Sequence, residues 1–487
     1  MKFHPHTTVL LICALLCTFS PELIRAQAFD LDRIGHIRAV VSEIDTTVPS
    51  WAGTVHDTKL RFLGVARSRV DYYFVYEVDQ DGVTAEKWLA LPADRVWSAL
   101  SNRPVRLNAR SHNGWLRDVS VAPLVSGRQA KTAVPPPTTG LYKVVAVPLT
   151  IQPQVSGAVP IGISPEAIRD TLFNLPNSVN KFYIEASYGM LAFTGVHHSQ
   201  VDVVPVTIQA TISANCQEQI VNEFTPIVRQ RLLEQNINTT NGTVDLAIVI
   251  FNDVPGCPPF PFATRGALGA RGVPQWLWMP ESWFVTGPAI MAHEIAHMLG
   301  GNHPVAARCT NFNDPQTCVY PEALTDRDLM APGGAYYLMP NNYERRRWGW
   351  YPPGVFDSPS AGPIPMFDLH SPIVPFIKDG VKQGRFFFRP LGGPYAGWDI
   401  YPEGRRNWST FERYPAADEA YRAGITVRYG HSNYADPAAT SVLVDPNPTT
   451  TFDDAPLRAG QQLSIGGLTI RCVRENNPRW GVRMSLE

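Results

Sequence analysis

Residues 287–304, GPAIMAHEIAHMLGGNHP, leave the chain little freedom. Thr286 or Gly287 can cap a helix, Pro288 suits its first turn, and AIMAHEIAHML is an unbroken run of helix formers too apolar to lie in solvent. At 3.6 residues per turn His293 and His297 stand one above the other, so both imidazoles can reach one ion. Glu294 leaves the helix at a different angle, suited to a water on that ion rather than to the ion itself. Gly300 stops the helix where a left-handed residue costs least, and the chain can then swing His303 back to the same point. Three neutral imidazoles leave a fourth position open, the arrangement of a catalytic Zn2+ site with one ion rather than a closed structural one. Such an ion brings the pKa of a bound water to about 7 and polarises a carbonyl. Glu294 is then placed to take the water's proton and pass it to a leaving amine. Together these pieces point to amide hydrolysis.

The rest of the chain must supply layers to bury this helix. At 487 residues it is too long for one core, and about three units of ~150 residues are expected. Lys2, the apolar run Val9 to Phe19 and Ala26-Gln27-Ala28 read as a signal peptide over residues 1–28. That run is too short to span a bilayer, and no later stretch approaches the ~20 apolar residues a membrane helix needs. A secreted protein, extracellular or periplasmic, is expected, with no membrane span. Residues 29–130 contain short alternating runs (RFLGVA, YYFVYEV, KWLAL) of a β-rich domain, and KTAVPPPTTG, 131–140, is a stiff exposed linker. From 141 to 353 the texture is α/β. LYKVVAVPL and VDLAIVIF read as strands buried on both faces, and Ser164-Pro165-Glu166 opens a helix. A second helix, about 217 to 234, has Ile220, Val221, Phe224, Ile227, Val228 and Leu232 as its apolar face. QWLWMP, 275–280, reads either as an edge strand able to pair with an extended peptide or, equally, as an ordinary buried strand. From 354 to 487 the segments GRFFFRP, ITVRYG, TSVLVD and LTIRCVR indicate a β-sandwich. The fold class is therefore a multidomain one, a mixed sheet with an active-site helix flanked by β-rich units. A net charge of −1 without charge blocks excludes nucleic acid as an obvious partner and leaves the oligomeric state open.

Removal of residues 1–28 leaves five cysteines. Cys309 and Cys318 flank the short polar loop TNFNDPQT and are the expected disulfide; Cys216 with Cys257 follows by elimination. Cys472 lies in phase with Leu468 and Ile470 and reads as a buried strand residue. Asp314, Asp326 and Asp328 could be gathered around calcium, but their spacing fits no calcium loop.

The spacing H-E-x-x-H-x-x-G-x-x-H resembles that of the metzincin metalloproteases, which also carry a methionine in a turn beneath the zinc ligands. Met330 in TDRDLMAPGG occupies the corresponding place, although Pro332 stands where some metzincins have a tyrosine. NSVNKFYIEASYGMLAFTG (177–195) and NNYERRRWGWYPPG (341–354) further resemble the gametolysin-like peptidases and, more loosely, the immune-inhibitor-A-like secreted metalloproteases. The resemblance implies a metzincin-like catalytic domain acting on protein or peptide. It does not reach residues 29–130, which read as a prodomain or as a permanent accessory domain. A cysteine-switch prodomain is excluded, since no cysteine lies between Cys17 and Cys216. A zinc hydrolase of a non-protein amide or ester, and a binding protein with a non-catalytic metal site, are the competing functions.

Overall fold

Alternate residues of three neighbouring strands face opposite ways, and each face has its own helices. The computed structural model describes residues 138–153, 161–212, 216–239, 243–254, 261–265, 275–320, 328–331, 337–350, 389–405, 423–432, 440–447, 454–477 and 481–487, a few isolated positions, and further strands by backbone alone. The expected signal peptide and Pro135-Pro136-Pro137 lie outside these residues.

Five N-terminal strands come first: β1 (Asp30–Ser42), β2 (Asp71–Gln80), β3 (Val83–Leu89), β4 (Pro104–His112) and β5 (Trp115–Pro123). They match the β-rich texture expected there. Next follow β6 (Gly140–Pro153), β7 (Leu191–Thr194), β8 (Asp202–Val203), β9 (Val206–Ala210), β10 (Leu246–Phe251), β11 (Phe262–Arg265) and β12 (Gln275–Pro280). One mixed sheet runs β2-β3-β5-β4-β1-β11-β12-β10-β6-β7, with β8 and β9 also on β6. Strands β6, β10 and β12 are parallel, with Ala146, Ile248 and Leu277 in register. Strand β11 is antiparallel to β12, and Ala39–Ser42 of β1 pair antiparallel with Arg265–Phe262 of β11.

Helices cover both faces. They are α1 (Pro165–Arg169), α2 (Val179–Ala186), α3 (Cys216–Gln219), α4 (Thr225–Glu234), α5 (Glu281–Phe284), α6 (Pro288–Met298) and α7 (Asn342–Arg347). Val144, Ala146, Ile248 and Leu277 share one core with α1, α2 and α6. Val145, Val147, Val249, Trp276 and Trp278 form a second core with residues of α3 and α4. This is the double burial that the two uninterrupted apolar strands require. As expected, Ser164 caps α1, accepting from the Ala167 N–H at 3.1 Å.

One open reading is decided and one expectation is corrected. QWLWMP is not an edge strand: β12 lies between β10 and β11, and all six of its residues are buried. An apolar run with no polar alternation has no side to give to solvent, so it belongs inside a sheet. The helix around residue 224 is also not uniform. Ile220–Phe224 form a π-helical turn between α3 and α4, just before Pro226, which has no N–H to donate to the regular ladder. The wider turn shifts the phase, so Ile220, Phe224, Val228 and Leu232 are buried while Ile227 is 41% exposed.

After α6 the chain enters β13 (Val305–Cys309) and β14 (Cys318–Val319), a hairpin closed by the expected Cys309–Cys318 disulfide. Cys216 is disulfide-bonded as well; Cys257, its expected partner, lies outside the described residues. Strands β15 (Phe356–Asp357), β16 (Ile364–Leu369), β17 (Gln383–Gly384), β18 (Phe386–Phe387), β19 (Arg389–Pro390), β20 (Trp398–Gly404), β21 (Ile425–His431), β22 (Ser441–Val444), β23 (Gln462–Ile465), β24 (Leu468–Asn477) and β25 (Gly481–Leu486) follow. One sheet runs β14-β13-β22-β21-β20-β19, a second β17-β16-β25-β24-β23, and β15 pairs with β18. Val305, Ile400, Val427 and Val442 of the first sheet share a core with Leu463, Ile470, Met484 and Leu486 of the second. Cys472, a free thiol, is buried there, and burial pushes its pKa up to about 11. The first of these sheets does not respect a division at residue 353, because β13 and β14 precede it and pair within it.

Close packing binds α7 to β21. A Cβ placed on Gly430 in β21 would come within 2.3 Å of the Tyr343 ring on α7. Gly430→Ala is therefore expected to lower the stability of the whole chain by about 1–3 kcal/mol through overpacking. Thermal unfolding followed by circular dichroism checks this; an unchanged midpoint would show that α7 and β21 are not in firm contact.

Candidate metal centre

Helix α6 begins after Gly287, which caps it at φ 118° without a side-chain bond, and it carries Pro288 in its first turn. His293, Glu294 and His297 are buried on it. Gly300, at φ 92°, turns the chain away in the left-handed conformation expected of it. The Gly300 and Gly301 N–H groups donate to the carbonyls of His297 and Ala296, each at 2.9 Å. The return brings His303 against the helix. One ring nitrogen from each of His293, His297 and His303 falls within 4.8 Å of the other two, close enough to hold a metal ion. Among the described residues these three form the cluster with that geometry.

The hydrogen bonds fix how the rings present themselves. His293 Nδ1 lies 2.6 Å from the Leu329 carbonyl oxygen, and His297 Nδ1 lies 3.0 Å from that of Gly301. A carbonyl can only accept, so each Nδ1 carries the proton and each Nε2 keeps its lone pair inward. His293 Nε2 and His303 Nε2 are 3.1 Å apart. Two nitrogens at about 2.0–2.1 Å from a tetrahedral ion stand roughly 3.3 Å apart, so His293 and His303 are close to ligand spacing. Burial, tautomer and spacing all suit neutral imidazoles around a borderline-soft cation, and the residues present fit the ion.

The third histidine is anchored from its own backbone. The His303 carbonyl accepts from Thr440 Oγ1 at 2.7 Å, and two residues later the chain enters β13, which pairs with β22 at Val305↔Val442. Met330 is fully buried in the same core as α6. A Cβ on Gly301 would stand 3.1 Å from Met330 Sδ, 3.0 Å from Trp348 and 2.9 Å from the Ala296 carbonyl. The methionine sulfur thus packs against Gly301, in the turn that carries the His297 acceptor.

Glu294 is fully buried, and its charge is felt by Tyr183. Tyr183 donates its hydroxyl to the Ala292 carbonyl at 2.6 Å, tying α2 to α6. Burial first, then Tyr337 and Glu294, raise its pKa well above the ordinary tyrosine value. Tyr337 stacks on Phe182 with ring centroids 4.7 Å apart, and burial raises its pKa too. Pro332 and Tyr336 lie outside the described residues.

Of the three aspartates weighed for calcium, Asp314 and Asp328 belong to no metal cluster found among the described residues. Asp326 lies outside the described residues. Asp314 caps a short turn through the Gln316 N–H, and Asp328 binds the Met330 N–H and Arg405. Of the remaining histidines, His197 contacts the Gln235 carbonyl and His198 pairs with Asp202. Sequence reasoning missed the groups that contact the three histidines: the Leu329 and Gly301 carbonyls and Thr440. Backbone acceptors have no residue signature, and Thr440 is 137 residues from the histidine it serves.

No family model matches the chain, and no curated protein matches it.

Gly301→Ala is expected to weaken divalent metal binding about 10- to 100-fold by displacing the His297 acceptor. Competition with a chromophoric chelator measures it. An affinity equal to that of the parent protein would mean that the close packing at Gly301 does not position the ligand.

Proposed function

We propose that the chain is a secreted zinc-dependent endopeptidase of metzincin type. The observation that carries this reading is the buried set of His293, His297 and His303, with Glu294 on the same helix and Met330 packed below. Zinc held by these imidazoles supplies a Lewis acid and brings the pKa of a water to about 7. The protein's own groups do the rest. Leu329 and Gly301 hold two rings in the ligating tautomer, and α2 braces the helix through Tyr183. Glu294, shielded from bulk water, takes the proton of the attacking water and delivers it to the leaving amine nitrogen as the amide bond breaks. Intact Glu294 also speaks against a purely structural site, which has no use for a base. Export accords with the Cys309–Cys318 disulfide and with the absence, among the described residues, of a helix long and apolar enough to cross a membrane.

Metal content and casein hydrolysis, wild type beside Glu294→Ala, test the reading. Both proteins should bind about one zinc, and the variant should lose ~10²- to 10⁴-fold in kcat, the range for removing a general base. Cleavage of small amides without any protein hydrolysis would favour the narrower hydrolase; a protein that binds no metal would end the proposal.

The pairing of β1 with β11 favours the prodomain reading of residues 29–130. Strand β11 contributes Ala263 to the core that holds α6, so its outer edge is where an extended peptide would add to the sheet. In this chain Ala39–Ser42 occupy that edge. Cleavage at the proline linker should then raise casein hydrolysis once the N-terminal fragment is separated. Unchanged or lower activity would identify the segment as an accessory domain.

A further inference from the structure

We propose that Arg405, delivered from the end of β20, is a positioning residue for the metal ligand His293, so that the C-terminal sheets complete the metal centre. The inference rests on the reading of the histidine triad as a metal site. Arg405 and Asp328 are each at most 1% exposed and 77 residues apart in sequence. Arg405 Nη2 stands 3.4 Å from Asp328 Oδ2, and its Nη1 donates to the Met339 carbonyl at 2.9 Å. The other oxygen of Asp328 accepts the Met330 N–H at 2.8 Å. Leu329, between them, turns its carbonyl to His293 Nδ1 at 2.6 Å. A continuous path of polar contacts thus runs from the guanidinium, through the carboxylate that shapes the loop, to the acceptor that sets the His293 ring.

The far side of Arg405 is as firmly held. Glu403 Oε2 lies 3.0 Å from Arg405 Nη2 and 3.7 Å from Arg428 Nε, and Glu403 Oε1 accepts the Asn342 N–H that opens α7. Asp328, Arg405, Glu403 and Arg428 make an alternating row of two anions and two cations in the interior, with no net charge. Such a row is intolerant of deletion, because a lost member leaves a buried charge uncompensated. Loss of Arg405 removes one cation from beside the buried Asp328 carboxylate, and a shift of that carboxylate carries the Leu329 carbonyl with it. Groups that orient metal-bound histidines are typically worth 10- to 100-fold in affinity. Helix α6 alone could form without this contact. The ring orientation could not.

The experiment measures zinc affinity by chelator competition, and the absorption spectrum of the cobalt-substituted protein, for the full chain carrying Arg405→Met, Asp328→Asn or both. Ile470→Ala in β24 is the control: it loosens the C-terminal core and should leave affinity unchanged. Arg405→Met should weaken zinc binding 10- to 100-fold and alter the cobalt spectrum. The double variant should bind more tightly than Arg405→Met alone, since the neutral amide introduced by Asp328→Asn no longer needs the guanidinium. A folded Arg405→Met protein with the parent's affinity and spectrum would overturn the proposal while leaving the metal centre standing. So would equal weakening by Ile470→Ala, which would reduce the effect to general stability. If Arg405→Met does not fold, Arg405→Lys is judged by the same criteria, since it keeps the charge but not the fork. A wild-type protein without metal would remove both this inference and the reading beneath it.

Discussion

Three imidazoles converge in the buried interior, and each histidine must satisfy what burial takes from it. A buried ring nitrogen that carries a proton needs an acceptor. For His293 and His297 the acceptors are backbone carbonyls, those of Leu329 and Gly301. His303 is held by its own carbonyl, through Thr440. Each contact imposes a requirement elsewhere. Leu329 must be held by its loop, Gly301 must lack a side chain beside Met330 and Trp348, and Thr440 must arrive from the C-terminal part of the chain. The sheets and helices can be understood as the support that brings these acceptors to one place.

That support crosses the expected boundaries. Strand β13 leaves the third ligand and enters a sheet made largely of C-terminal strands, while Arg405 returns from that sheet to the loop under the histidines. Arg345 on α7 donates to the Tyr188 hydroxyl, so the turn after α2 joins the same framework. Beyond the proline-rich stretch, Thr138 bonds the Trp348 carbonyl and accepts from the Trp350 indole, close to the tryptophan that packs against Gly301. Domain labels drawn from composition describe texture well and mechanical independence poorly. Texture is a local property, whereas independence depends on which buried polar groups find partners across a boundary.

Much of the fold is legible along the chain because it rests on periodicity. VDLAIVIF is buried on both faces, Pro165 and Ser164 start a helix, and Gly300 ends one. For QWLWMP, position before the zinc helix suggested an edge while its apolar run equally suited a buried strand, and the missing polar alternation is what belongs to an interior strand. Ile227 fell outside the apolar face because a π-helical turn before Pro226 broke a phase that had been assumed constant. Cys309 with Cys318 was readable because the loop between them is short and both ends must meet.

The sequence by itself determined the chemical inventory: which residues carry lone pairs, which carboxylate stands beside them, and that two histidines four apart share a helical face. Those properties follow from residue type and helix pitch, and both are local. Only the tertiary structure decided which nitrogen of each ring faces inward, what holds the third histidine, and that an arginine more than a hundred residues beyond the helix braces the loop beneath it. These are matters of hydrogen-bond direction between segments distant in sequence, and no local pattern encodes them, because the acceptors are backbone carbonyls that every residue possesses.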